Sequence, residues 1–71
     1  MLKEHDMTTY AEKIKKLRKK LIISQHDLAV MLDVSFVTVN RWENGKFEPS
    51  LKIKRKLKEM FIEYGIDDFK N

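Results

Sequence analysis

The charged residues of this 71-residue sequence are unevenly distributed, and their distribution indicates a kind of chemistry. The net charge is +4, but basic residues greatly outnumber acidic ones between Lys13 and Lys58, whereas both ends of the chain are acidic. A basic middle with acidic flanks favours a localised surface that binds polyanions. A pair of solvated lysine-rich helices explains the same composition equally well, so charge alone leaves both interpretations open.

Residues 36–43 have two chemically different faces if they form a helix. At helical spacing, one face carries Val39, Trp42 and Glu43, and the other carries Phe36, Val37, Asn40 and Arg41. Glu43 therefore accompanies apolar residues, and Arg18 falls on a similar apolar stripe of Ile14, Leu17 and Leu21. Because a buried charge without a partner is costly, we expect Arg18 and Glu43 to form an ion pair that joins the first helix to the third.

The sequence lacks the residue patterns of an enzyme or a metalloprotein. It has no glycine-rich phosphate loop, no nucleophile with a credible base and no carboxylate pair with a reason to shift its pKa. With no cysteine and no histidine pair at ligand spacing, we expect no metal site and no cofactor. There is no apolar run of about 20 residues, and the first ten residues lack the apolar stretch that a signal peptide has. We therefore expect a cytoplasmic protein that binds neither membranes nor a small-molecule ligand.

The elements that must position these side chains are helices. Helical periodicity dominates the sequence, which contains one proline and two glycines. The predicted N-caps are Thr9, Ser24, Ser35 and Ser50, and the predicted stops are Asp33, Asn44-Gly45 and Gly65. The inner stripe of the last helix should be Ile53, Leu57, Met60, Phe61 and Tyr64. The pattern predicts an all-α fold of four to five short helices in one domain over residues 1–71, with a core at about 9–65.

Four short motifs follow one another along the chain. They are SQHDLA at 24–29, Val34-Ser35, VNRWENG at 39–45 and Pro49-Ser50. In this order and spacing they resemble the phage repressor and Cro family of helix-turn-helix proteins, over roughly residues 10–64. The resemblance implies a lambda-repressor-like DNA-binding domain, with the helix-turn-helix at about 24–44 and helix 36–43 in the major groove. Asp33 departs from the family pattern, which usually has glycine at this turn.

The resemblance also implies a set of residues that contact DNA. Those that face base edges are Phe36, Val37, Asn40 and Arg41, and those that lie near phosphates are Gln25, Ser35, Thr38, Asn44 and Lys46. An arginine fork matches two acceptors of guanine, and an asparagine amide matches adenine. Without the resemblance, Asn40 and Arg41 are ordinary solvated residues, Phe36 can lie in the core, and Thr38 can bond its own helix backbone.

The function implied is sequence-specific binding of double-stranded DNA by a transcription regulator, which we expect to be a repressor. Such domains usually bind two-fold symmetric sites as dimers, so we expect a homodimer on DNA. The alternative from another class is a protein-interaction module, such as an antitoxin that binds a toxin. A peripheral membrane binder is disfavoured because Trp42 shares the inward face with Val39 and is not free to insert into a bilayer.

Overall fold

Residues 9–66 of this computed structural model form four helices and no strand. The helices are α1 (Tyr10–Leu21), α2 (Gln25–Leu32), α3 (Phe36–Glu43) and α4 (Leu51–Glu63). The all-α prediction is therefore confirmed, and a fifth helix would fall on residues 67–71, outside those that the structure describes. None of the four helices is long and apolar enough to cross a bilayer.

A hydroxyl side chain caps the start of each of these helices, as the sequence predicted. The capping oxygen accepts a hydrogen bond from the backbone nitrogen three residues later, at 3.3, 3.0, 3.1 and 3.4 Å for Thr9, Ser24, Ser35 and Ser50. At α2 the bond is reciprocated, because the Ser24 backbone N–H donates to the Asp27 carboxylate at 3.1 Å. Each such cap stabilises its helix by about 1 kcal/mol, because it satisfies a backbone donor that the helix leaves unpaired.

Each of the four helices is followed by one residue in the left-handed conformation. These residues are Ile22, Asp33, Gly45 and Gly65, with φ of 56°, 60°, 75° and 72°. The next backbone N–H donates to the carbonyl five residues before it, at 3.1, 2.9, 3.0 and 2.7 Å in the same order. This is the Schellman arrangement, which glycine adopts without steric cost. Ile22 carries a β-branched side chain in a conformation that disfavours it, and this side chain is 88% exposed.

The core is a single apolar cluster to which α1, α2, α3 and α4 all contribute. Its fully buried members include Ile14, Leu17, Leu28, Val39, Leu57 and Phe61. The predicted stripe of the last helix does line the core, with Met60 and Tyr64 at its edge. Helix α3 packs against both α1 and α2. Its rotation about its own axis is therefore fixed from two sides, which determines the side chains that it turns outward.

Candidate nucleic-acid interface

Helix α3 has one buried face and one outward face. Val39, Trp42 and Glu43 are buried, with Trp42 only 4% exposed. The outward face consists of Phe36, Val37 and Arg41, which are exposed, and Asn40, which is half-buried. Phe36 thus lies outside the core. The four residues that the resemblance assigned to base edges are therefore together on one side of a two-turn helix.

Arg18 and Glu43 form a two-pronged ion pair between α1 and α3. The Arg18 Nε donates to Glu43 Oε2 at 2.6 Å, and its Nη2 donates to Glu43 Oε1 at 2.9 Å. The remaining Arg18 nitrogen, Nη1, donates to the carbonyl of Ile23 at 3.2 Å, beside the left-handed turn that ends α1. Glu43 is 5% exposed and Arg18 24% exposed, so the pair lies at the border of the core. The two inward-facing charges of the sequence therefore meet each other.

A chain of amide side chains leads from this ion pair to the outward face. Gln25 Nε2 donates to Glu43 Oε1 at 2.9 Å, and Asn40 Nδ2 donates to Gln25 Oε1 at 3.2 Å. Asn44 Nδ2 in turn donates to Asn40 Oδ1 at 3.1 Å. Because an ionised carboxylate only accepts hydrogen bonds, Glu43 fixes which way the Gln25 amide points, and each later amide follows. Sequence reasoning did not predict this order of amide side chains.

The ionised state of Glu43 is favoured by its neighbours. Burial raises the pKa of this carboxyl, but hydrogen bonds from Arg18 and Gln25 and the charges of Arg18 and Lys15 outweigh burial, so the pKa is lowered overall. The hydrogen bond that Arg18 donates to Glu43 raises the pKa of Arg18, which also favours the charged form. The pair is therefore fully charged at neutral pH, and the direction of the amide chain is fixed there.

The residues expected near phosphates lie around the outward face of α3. Ser35 and Thr38 are at its start, with their hydroxyl oxygens 2.8 Å apart. Asn44 and Lys46 are exposed beyond its end. Gln25 opens α2, so its backbone N–H belongs to the unpaired donors of a helix N-terminus, although its side chain is bonded within the protein. Polar groups thus flank the outward face at both ends, with a helix N-terminus on the α2 side.

Sequence reasoning gave Phe47 no role, yet this residue contacts the outward face. The Arg41 guanidinium carbon lies 5.3 Å from the centroid of the Phe47 ring. The two side chains line an open pocket together with Thr38 and Trp42. The sequence signal for this contact was an aromatic residue two positions after the glycine that ends α3, because such a turn folds the chain back beside the helix.

Comparison with known proteins identifies the family. A family model described as helix-turn-helix matches residues 14–60, which is more than half of the chain and covers α1 from its second turn through most of α4. Searches among curated proteins and among solved structures found no significant match. The geometry and the match agree, because the α2–turn–α3 unit lies within the matched residues. The chain belongs to the Cro/repressor-type helix-turn-helix family, a family of DNA-binding transcription regulators.

Proposed function

We propose that this protein binds a specific sequence of double-stranded DNA and represses transcription there. The observation that carries the proposal is the division of α3 into a buried face and an outward face that holds Phe36, Val37, Asn40 and Arg41. A helix of this kind fits the major groove, where each base pair presents a distinct pattern of donors, acceptors and methyl groups.

The outward face offers different chemistry to different bases. The Arg41 fork suits the two acceptors of guanine. Asn40 has used one donor and one oxygen lone pair within the protein, and an amide has two of each. Its free donor and free lone pair match N7 and the amino group of adenine, while Phe36 and Val37 can pack on thymine methyl groups. Each well-formed contact contributes about 1–3 kcal/mol of discrimination.

Contacts to the DNA backbone position the helix without selecting a sequence. We assign this role to Gln25, Ser35, Thr38, Asn44 and Lys46, which lie around the outward face. The N-terminus of α2 adds a partial positive charge that favours a phosphate. Because Lys46 supplies charge and no base contact, its loss should weaken binding to every sequence alike and reduce the salt dependence of binding.

We further propose that two copies bind a two-fold symmetric site as a homodimer. A single two-turn helix reads only a few base pairs, and a symmetric pair of helices doubles that number. Repression requires only that the bound protein occlude the promoter, for which the DNA-binding surface suffices. The proposal of repression rests on the family to which the chain belongs.

The test is to select bound sequences from a random DNA pool and then to measure affinity by gel shift at two salt concentrations. We expect Arg41→Ala to relax the preference at one base pair of each half-site by about 1–3 kcal/mol. Lys46→Ala should lower affinity for all sequences similarly, and Arg55→Ala, an exposed arginine on α4, serves as the matched control. Equal losses for every sequence in Arg41→Ala would refute the role given to Arg41.

Two further measurements separate repression and dimerisation from their alternatives. A reporter promoter that contains the selected site should lose expression when the protein is present, whereas a gain would identify an activator. Sedimentation with and without the site should show two copies per DNA duplex. No salt-dependent DNA binding at all would favour the protein-interaction alternative, in which the domain binds a protein partner such as a toxin.

A further inference from the structure

We propose that Phe47 is a positioning residue for DNA recognition, because its ring holds the Arg41 guanidinium in the orientation that contacts a base. The proposal rests on the function proposed above, in which Arg41 reads the base pair. It adds to that function a residue outside the helix-turn-helix, in the loop between α3 and α4.

The backbone after α3 places Phe47 beside Arg41. Gly45 is left-handed, its N–H donates to the Trp42 carbonyl at 3.0 Å, and the Lys46 N–H donates to the Arg41 carbonyl at 3.0 Å. These two bonds close the helix and turn the chain back along it. The residue that follows must then lie next to the last turn of α3, which carries Arg41.

The contact between the two side chains has the geometry of a cation–π interaction. The guanidinium carbon is 5.3 Å from the ring centroid, within the range of about 6 Å at which such attraction operates. Phe47 is 57% exposed, so burial in the core does not account for its position. Thr38 and Trp42 line the other sides of the same pocket, which limits the directions open to the arginine.

Contact through the ring restricts Arg41 without consuming its hydrogen bonds. Within residues 9–66 the Arg41 guanidinium donates no hydrogen bond, and a guanidinium packed on an aromatic ring keeps its in-plane N–H donors available. A free arginine side chain loses much conformational freedom when it binds a base, whereas one already held loses less. Phe47 should therefore sharpen the discrimination that Arg41 provides and leave other base pairs unaffected.

The experiment compares Phe47→Ala, Phe47→Leu and Phe47→Trp with the original protein. Affinity is measured for the selected site and for the site changed at the base pair whose preference Arg41→Ala removes. We expect Phe47→Ala to reduce the discrimination ratio at that base pair about two- to five-fold. Phe47→Leu should resemble it because leucine lacks the ring, and Phe47→Trp should preserve the ratio. Phe47→Ala combined with Arg41→Ala should discriminate no less than Arg41→Ala alone.

The outcomes distinguish this proposal from the one on which it rests. If Arg41→Ala changes no base preference, the proposed role of Arg41 is wrong and that of Phe47 with it. If Arg41→Ala relaxes one base pair while Phe47→Ala leaves the ratio there unchanged, only the positioning role is wrong. If Phe47→Ala lowers affinity equally for all sequences, the ring instead supports a phosphate contact, and the proposal is overturned. Thermal unfolding of each variant shows whether a loss of DNA affinity is due to misfolding.

Discussion

Substituting Glu43 by alanine should destabilise this domain severely, because the carboxylate accepts three hydrogen bonds at the border of the core. Two come from Arg18 and one from Gln25, and Glu43 itself is only 5% exposed. Breaking a buried pair costs about 3–5 kcal/mol, and we take the lower end because Arg18 is 24% exposed and can reach water. Against a total stability of about 4–10 kcal/mol, this is a large fraction. The melting temperature should fall by about 12 °C or more.

A double-mutant cycle isolates the pair from the other contacts of each residue. The variants are Arg18→Met, Glu43→Leu and the two together, unfolded in urea and followed by circular dichroism. The fluorescence of Trp42, the one tryptophan of the sequence, gives an independent probe from within the core. We expect a coupling energy of about 2 kcal/mol, with the double variant more stable than Glu43→Leu, because replacing both charges removes the stranded arginine.

The matched control is the ion pair between Lys54 and Glu48. Their charged atoms are 2.9 Å apart, but Glu48 is 70% exposed, and exposed pairs contribute little to stability. Glu48→Ala should therefore leave the urea midpoint almost unchanged. Additive effects of Arg18→Met and Glu43→Leu, with no coupling energy beyond the experimental error, would refute the reasoning. The short distances between the two side chains would then not correspond to an interaction that stabilises the fold.

Three further predictions concern the acid stability given by Glu43 and the left-handed residues Ile22 and Gly45. Because the folded state lowers the pKa of Glu43, the stability that this group contributes is present above its ordinary pKa of about 4.5 and is lost as the pH falls through the lower folded value. As the pH is lowered through this range, the free energy of unfolding of Glu43→Gln should accordingly fall less steeply than that of the original protein. An unchanged slope would contradict the lowered pKa of Glu43. Ile22→Gly should raise stability by about 0.5–1 kcal/mol, because relief of left-handed strain exceeds the entropy cost of glycine. Gly45→Ala should lower the stability because alanine is strained at this positive φ, although the added methyl group meets only open space. A change of the same sign in the free energy of unfolding of both variants would contradict these two predictions.

The sequence predicted the helices well because their boundaries depend on local chemistry. A hydroxyl residue before each apolar segment binds the backbone donor three residues later, and this contact needs no information from the rest of the chain. The meeting of Arg18 with Glu43 was also foreseeable, because each charge lies on an apolar stripe and neither is tolerated alone. The left-handed Ile22 was not foreseeable, since a β-branched residue there contradicts local preference.

The contacts that sequence reasoning missed depend on how distant or neighbouring segments are brought together in space. Gln25 and Asn40 are 15 positions apart, and only the packing of α2 against α3 brings their amides together. The approach of Phe47 to Arg41 is more local, and it requires only that the turn at Gly45 run back along α3. Residue type predicts the hydrogen-bonding capacity of the Gln25 and Asn40 amides. Their orientation is set by the buried Glu43 carboxylate, whose position in space the sequence does not show.

Helix α3 connects the stability of the fold to the site that we propose for DNA. A helix of eight residues is not stable alone in water, so its position is imposed by its buried face and by the Arg18–Glu43 pair. Phe36, Val37 and Arg41 extend from that helix without bonds to the core, so they can vary with little effect on folding. Asn40 differs, because changing it releases both Gln25 and Asn44 from their partners. On the proposed function, substitutions at the first three positions can therefore change the DNA sequence preference of this protein at low energetic cost, whereas a change at the fourth disturbs the amide chain that ends at Glu43.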